Sequence, residues 1–169
     1  WEYNVLGVYD YERPGKLEGY FAFLREHHDS VPGDLLEAGV FRGRSLLATG
    51  MILRELGSTK RVFGYDTFSG FPPVYHPNDD RRRFDELLAA GRISQEHFDK
   101  VQRLWRYRSL GRAEEPTLET LSTSGVFADT SQALLEEKIT FLELEPWIRL
   151  MPGPFEETMT ADAAEPTQL

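Results

Sequence analysis

Residues 34–45, read as Asp34-Leu-Leu-Glu-Ala-Gly-Val-Phe-Arg-Gly-Arg-Ser45, restrict the fold of this chain more than any other stretch. Leu35 and Leu36 open an apolar run to Val40 broken only by Glu37, the pattern of a parallel strand covered on both faces. Gly39 and Gly43 bracket a turn. Ser45 is placed to cap a helix whose buried stripe is Leu46, Leu47, Met51, Leu53 and Leu56, and Gly57 suits a left-handed stop. Residues 61–65 then return as a second strand that ends in Asp66. Strand, glycine turn, helix and a second strand closed by an acid make up the first half of a nucleoside-cofactor unit. The fold class predicted is α/β, a Rossmann-like doubly wound sheet of which this chain holds the amino-terminal part.

The rest of the chain is arranged around that unit. Leu17, Tyr20, Phe21 and Leu24 recur at helical spacing and predict an amphipathic helix over 16–28, ended by Pro32-Gly33. Residues 72–138 are charged and helix-prone, with helices expected near 83–90, 95–106 and 131–138. Asp129 and Gln132 have the spacing of a capping box for the last. Residues 148–151 read as a third strand and 158–169 as loop. The chain thus divides into an amino-terminal helical segment (1–33), a cofactor-binding segment (34–71), a helical insert or lid (72–138), and a third strand with a loop (139–169), all within one domain.

Composition narrows the ligand. The 169 residues carry a formal net charge of −9, which repels nucleic-acid backbones and anionic membranes at long range, so a small molecule is the expected partner. There is no cysteine and therefore no disulfide or thiolate metal site. The amino end lacks a charged segment followed by an apolar run, and a cytoplasmic protein is expected. The histidines at 27, 28, 76 and 97 match no metal-ligand spacing and are read as surface residues. Asp79 to Arg83 reads as a solvated helix start with compensating charge. Phe98, Leu104, Trp105 and Tyr107 are expected to pack inward, with the insert as the alternative lid over an acceptor.

The chemistry of the turn points to one kind of cofactor. At Gly39 and Gly43 missing side chains let a ligand reach the main chain, with amides of the following helix facing it. A dinucleotide fingerprint needs its middle glycine at position 41, and bulky Phe41 stands there, which argues against NAD or FAD. S-adenosyl-L-methionine has no phosphates; its amino-acid end needs an anion-binding turn and an acid for the ammonium, a role for which Glu37 is placed. Asp66 is placed to accept hydrogen bonds from two ribose hydroxyls.

Three segments here resemble the macrocin O-methyltransferase (TylF-like) family of class I methyltransferases: Glu37-Ala-Gly-Val-Phe-Arg-Gly-Arg-Ser45, Tyr65-Asp-Thr-Phe-Ser-Gly-Phe-Pro72 and Met151-Pro-Gly-Pro-Phe-Glu-Glu-Thr158. The resemblance implies that Glu37, Gly39, Val40, Gly43 and Ser45 hold the methionine end of the cofactor. It assigns Asp66 to the ribose, Thr67 and Phe68 to the adenosine surroundings, and Gly153 and Phe155 to the neighbourhood of the adenine. It further implies an S-adenosylmethionine-dependent O-methyltransferase acting on a hydroxyl of a small natural product or sugar, with Mg²⁺ as a family cofactor. The family's metal-binding and basic acids, an Asp-x-Asp-type segment and an Asp-Asp pair, have no counterpart in this sequence. Asp162 stands alone in an Ala-rich loop. No metal ligand and no catalytic base are therefore assigned, and the alternatives are an inactive nucleoside-binding module or fragment and, more remotely, a nicotinamide-dependent oxidoreductase. With three strands the edge of the first stays open, so either further sequence or a second copy of the chain is expected to cover it.

Overall fold

The computed structural model describes residues 1–70, 82–110, 127 and 129–160. The chain forms two compact units, one of residues 1–69 with 129–169 and the other of residues 70–128.

The first unit is built on a parallel sheet in the order β1 (Leu35–Ala38), β2 (Val62–Asp66), β3 (Ile148–Pro152). Leu35 is in register with Val62 and Val62 with Ile148. Registered residues of neighbouring strands project to the same face. One face therefore carries Leu35, Glu37, Val62, Gly64, Asp66 and Ile148. Helix α3 (Arg44–Glu55) packs on it: Leu46, Leu47, Ile52 and Leu53 are fully buried, each contributing roughly 1.5–3 kcal/mol in apolar transfer. Close approach explains two glycines. A methyl group at Gly64 would lie 2.9 Å from side-chain carbons of Leu46 and Val40, and one at Gly50 of α3 would lie 2.7 Å from Ile148.

The sequence-predicted strands and the helix between them stand where expected, with a different detail at the helix start. Gly43 in left-handed geometry is the N-cap of α3, and Ser45 lies inside the first turn. At the other end Gly57 adopts the expected left-handed φ of 61°, and the Ser58 amide closes back on the Leu53 carbonyl at 2.9 Å. β1 departs from the expectation of a strand covered on both faces. Leu36 is 55% exposed, because helix α3 covers only the face of Leu35 and Glu37. Among the described residues β1 is also an edge strand, and the alternation of a parallel ladder turns the backbone groups of Leu36 and Ala38 away from β2.

Around this sheet, α2 (Glu18–His27) buries Phe21 and Leu24. A short α1 (Glu2–Leu6), not foreseen from the sequence, leads into a segment whose Val8 is fully buried and whose Tyr11 hydroxyl donates to Glu55 at 2.5 Å. In the second unit, α4 (Arg82–Ala89) and α5 (Gln95–Ser109) follow the expected helices, with Ser94 Oγ capping α5 through the His97 amide at 3.1 Å. Leu104 and Tyr107 are 58% and 74% exposed, so these two do not pack inward as expected. Back in the first unit, α6 (Gln132–Phe141) is capped by Ser131, whose Oγ accepts from the Leu134 amide at 3.3 Å. Asp129 does not form the expected capping box; it pairs with the Arg42 guanidinium. A last turn of helix, α7 (Phe155–Thr158), follows β3. The readings of His76, Asp162 and the Asp79–Arg81 charges (residues 79–81) lie outside the described residues.

The tight α3–sheet contact has a measurable consequence. Gly64→Val inserts methyl groups where Leu46 and Val40 already fill the space, and the urea midpoint should fall by the equivalent of about 1–3 kcal/mol at unchanged m-value.

Candidate functional site

The turn between β1 and α3 is held open by Asp66. The Phe41 amide donates to Asp66 Oδ2 at 2.8 Å and the Phe68 amide donates to Oδ1 at 2.8 Å. Both phenylalanines have left-handed backbones, with φ of 54° and 53°. Such geometry costs a residue with a side chain about 1–3 kcal/mol and persists only where the surroundings enforce it. One carboxylate enforces it twice. Thr130 adds to this at Phe41, donating its hydroxyl to the Phe41 carbonyl at 2.6 Å. The Arg42 guanidinium, 5.1 Å above the Phe41 ring, reaches Asp129 beside it.

On the same sheet face, Glu37 accepts a hydrogen bond from Ser45 Oγ at 2.7 Å. Burial raises the Glu37 carboxyl above its ordinary range, and the Ser45 hydrogen bond offsets part of that rise. One helical turn further along α3, Thr49 Oγ1 is fully buried and shares a hydrogen bond with the Tyr20 hydroxyl of α2 at 3.0 Å. Glu37 and Asp66 thus engage the two ends of one loop, Glu37 at Ser45 and Asp66 at Phe41.

The two turn glycines, expected to let a ligand reach the main chain, spend their own amides inside the fold. The Gly39 amide donates to the Tyr65 carbonyl and the Gly43 amide to the Val40 carbonyl, both at 2.9 Å. The first intrahelical bond of α3 runs from Leu47 to Gly43, so the amides of residues 44–46 are the ones without an intrahelical acceptor. Gly39, with φ of 85°, has open space where a Cβ would stand. At Gly43 a Cβ would lie 2.4 Å from Leu135, so the missing side chain makes room for α6.

The other candidate residues fall into two groups. Gly153 is drawn to the site, its amide donating to the Asp66 carbonyl at 2.9 Å, and Phe155 begins α7 two residues later with 37% exposure. Thr67 follows Asp66 and its Oγ1 accepts from the Ser69 amide at 3.4 Å. Val40 and Phe68 are 3% and 7% exposed and belong to the core cluster, which leaves their backbones as the parts nearest the turn. Sequence reading missed Thr130, Thr49 and Tyr20 as members of this constellation. Ser45 and Thr49, two hydroxyls four residues apart on one helix face, were the available signal. Among the described residues no cluster of three or more acidic or histidine side chains is arranged to hold a metal ion, and no helix is long and apolar enough to cross a membrane.

A three-stranded parallel sheet flanked by helices, with a glycine turn opposite a strand-end acid, is compatible with part of a Rossmann-like fold. The chain belongs to the macrocin-O-methyltransferase (TylF) family, whose model matches residues 21–146. It is also similar to the 8-demethyl-8-(2,3-dimethoxy-alpha-L-rhamnosyl)-tetracenomycin-C 4'-O-methyltransferase of Streptomyces olivaceus, 49% identical over 47 residues. That match covers 27% of this chain and 18% of the Streptomyces enzyme.

Two predictions follow from the acids. In Asp66→Ala both left-handed amides lose their acceptor, and each hydrogen bond to a charged group contributes about 1.5–3 kcal/mol before screening. The amides of Phe41 and Phe68 should then lose hydrogen-exchange protection together. For Glu37 the folded state keeps its proton to higher pH than the unfolded chain does. Stability therefore declines as pH rises from the ordinary glutamate value near 4.5 through the raised folded value. Glu37→Gln removes that decline, so its melting temperature at pH 7 should exceed that of the parent, at roughly 2–4 °C for each 1 kcal/mol recovered.

Proposed function

We propose that this chain carries the cofactor site of an S-adenosylmethionine-dependent O-methyltransferase acting on a hydroxyl of a small natural product, in the first instance a sugar hydroxyl. The observation that carries the reading is the Asp66 carboxylate at the end of β2, fixed against the turn by the Phe41 and Phe68 amides. Each carboxylate oxygen has two acceptor positions and uses one on the backbone, which leaves one on each for a ribose diol. Family membership supports methyl transfer, and the name of the Streptomyces relative describes methylation of a rhamnosyl 4'-hydroxyl in that enzyme. We extend the three strands described to the doubly wound sheet of class I methyltransferases, with its next strand on the open edge of β1.

In this reading Glu37 receives the ammonium of the amino-acid end, and the first-turn amides of α3 receive its carboxylate. Gly39 allows close approach to the main chain. When bound, the cofactor supplies a sulfonium-activated methyl group. The residues of this chain hold that end of the molecule in one orientation, so that an acceptor oxygen meets the methyl in line, and orientation of this kind is a large source of acceleration. Mg²⁺ belongs to the proposal by family membership only. No residue among those described is assigned to it or to the base that deprotonates the acceptor.

Titration calorimetry with S-adenosylhomocysteine and with NAD tests the reading. Binding of S-adenosylhomocysteine without binding of NAD is expected, because Phe41 occupies the position where a pyrophosphate needs a glycine. Binding of NAD alone overturns it. Asp66→Ala should weaken S-adenosylhomocysteine by roughly 1.5–3 kcal/mol. Affinity should also fall as pH drops through the raised Glu37 value, since only the ionised carboxylate pairs with an ammonium.

A further inference from the structure

Helix α3 presents two hydroxyls one turn apart, and each is matched to a side chain from another element. Ser45 Oγ donates to Glu37 of β1, and Thr49 Oγ1 shares a hydrogen bond with the Tyr20 hydroxyl of α2. The two pairs are close enough that the Glu37 charge acts on the Tyr20 hydroxyl, which burial first and Glu37 after it hold above the ordinary phenol range. Tyr20 is nevertheless 36% exposed, unlike its neighbour Phe21 at 4%. The Tyr20 hydroxyl satisfies the fully buried Thr49 hydroxyl and has capacity left for a further donor. An ammonium group has three N–H donors in a tripod, and a single carboxylate seldom meets more than two of them.

We propose that Tyr20 is a positioning residue for an α-ammonium group: its hydroxyl, fixed by Thr49 one helical turn from the Ser45–Glu37 pair, is the neutral second acceptor beside the Glu37 carboxylate. This rests on the cofactor reading above and deepens it by dividing recognition of the amino-acid end between two elements, β1 and α2. Thr49 donates to the phenol oxygen in the free protein or accepts from it, and the phenol retains a further lone pair in either case.

The test compares two ligands that differ in the amino-acid end. S-adenosylhomocysteine carries the ammonium, and 5'-methylthioadenosine carries the same nucleoside and thioether without it. Tyr20→Phe keeps the ring and its 5.4 Å contact with Phe21. It should weaken S-adenosylhomocysteine by roughly 10- to 150-fold and leave 5'-methylthioadenosine unchanged, as expected for one lost hydrogen bond to a charged group. Thr49→Val, which removes the anchor and keeps the shape, should act in the same direction with a smaller change. Equal weakening of both ligands, or no weakening of either, overturns the proposal, because a merely structural tie between α2 and α3 does not distinguish them. If the parent protein binds neither ligand, the cofactor reading itself fails and the role of Tyr20 fails with it. Melting curves of both variants report whether the fold is retained.

Discussion

The Asp66 carboxylate is the point on which the site depends. It ends β2, its side chain holds the amides of Phe41 and Phe68, and its own carbonyl takes the Gly153 amide that follows β3. Three separate stretches of chain are therefore referred to one residue. Two of them have left-handed phenylalanines, a geometry that the local sequence disfavours and that hydrogen bonds to a charged acceptor can compensate. Replacement of the acid removes both restraints at once, whatever it does to a ligand.

A second constraint is the closeness of α3 to the sheet. Gly64 and Gly50 have no side chain, so Val40, Leu46 and Ile148 reach across the interface. This proximity brings Ser45 and Thr49 within reach of Glu37 and Tyr20. Burial against α3 makes the Glu37 carboxyl harder to ionise, and Ser45 compensates only in part. The protein thus keeps a partly buried acid in a state that an ammonium would relieve.

Much of this was legible in the sequence, and the reasons are specific. The apolar run from Leu35, broken only by Glu37, and the stripe from Leu46 to Leu56 announce a parallel strand and a helix, and both appear in the structure. Asp66 was legible as the acid that ends the second strand, whereas its hold on the Phe41 and Phe68 amides was not. What escaped was long-range. Thr130 lies 89 residues from Phe41, and nothing near it in sequence marks it as a partner of the turn. Ser45 was read as a helix cap because serine before an apolar stripe usually is one, whereas Gly43 takes that position and frees the hydroxyl for Glu37. The exposure of Leu36 escaped for a different reason: a strand's composition reports what it can bury, and not which faces this length of chain covers. The family match spans residues 21–146, which includes the first two of the distinctive segments and leaves 151–158 outside.

The hydroxyl of Thr130 on the Phe41 carbonyl carries a consequence for the order in which the molecule takes shape. The loop between β1 and α3 gains this second fastening only after a residue 89 positions later has been synthesised. Contacts between residues so distant in sequence are slow to form, because the entropy of closing the intervening chain must be met first. In chain order β1, α3 and β2 all precede residue 130, so Asp66 is available to the turn between β1 and α3 before Thr130 is. A nascent chain that has not reached residue 130 therefore has β1 and β2 with the Asp66 tie alone, and the second tie on Phe41 comes late.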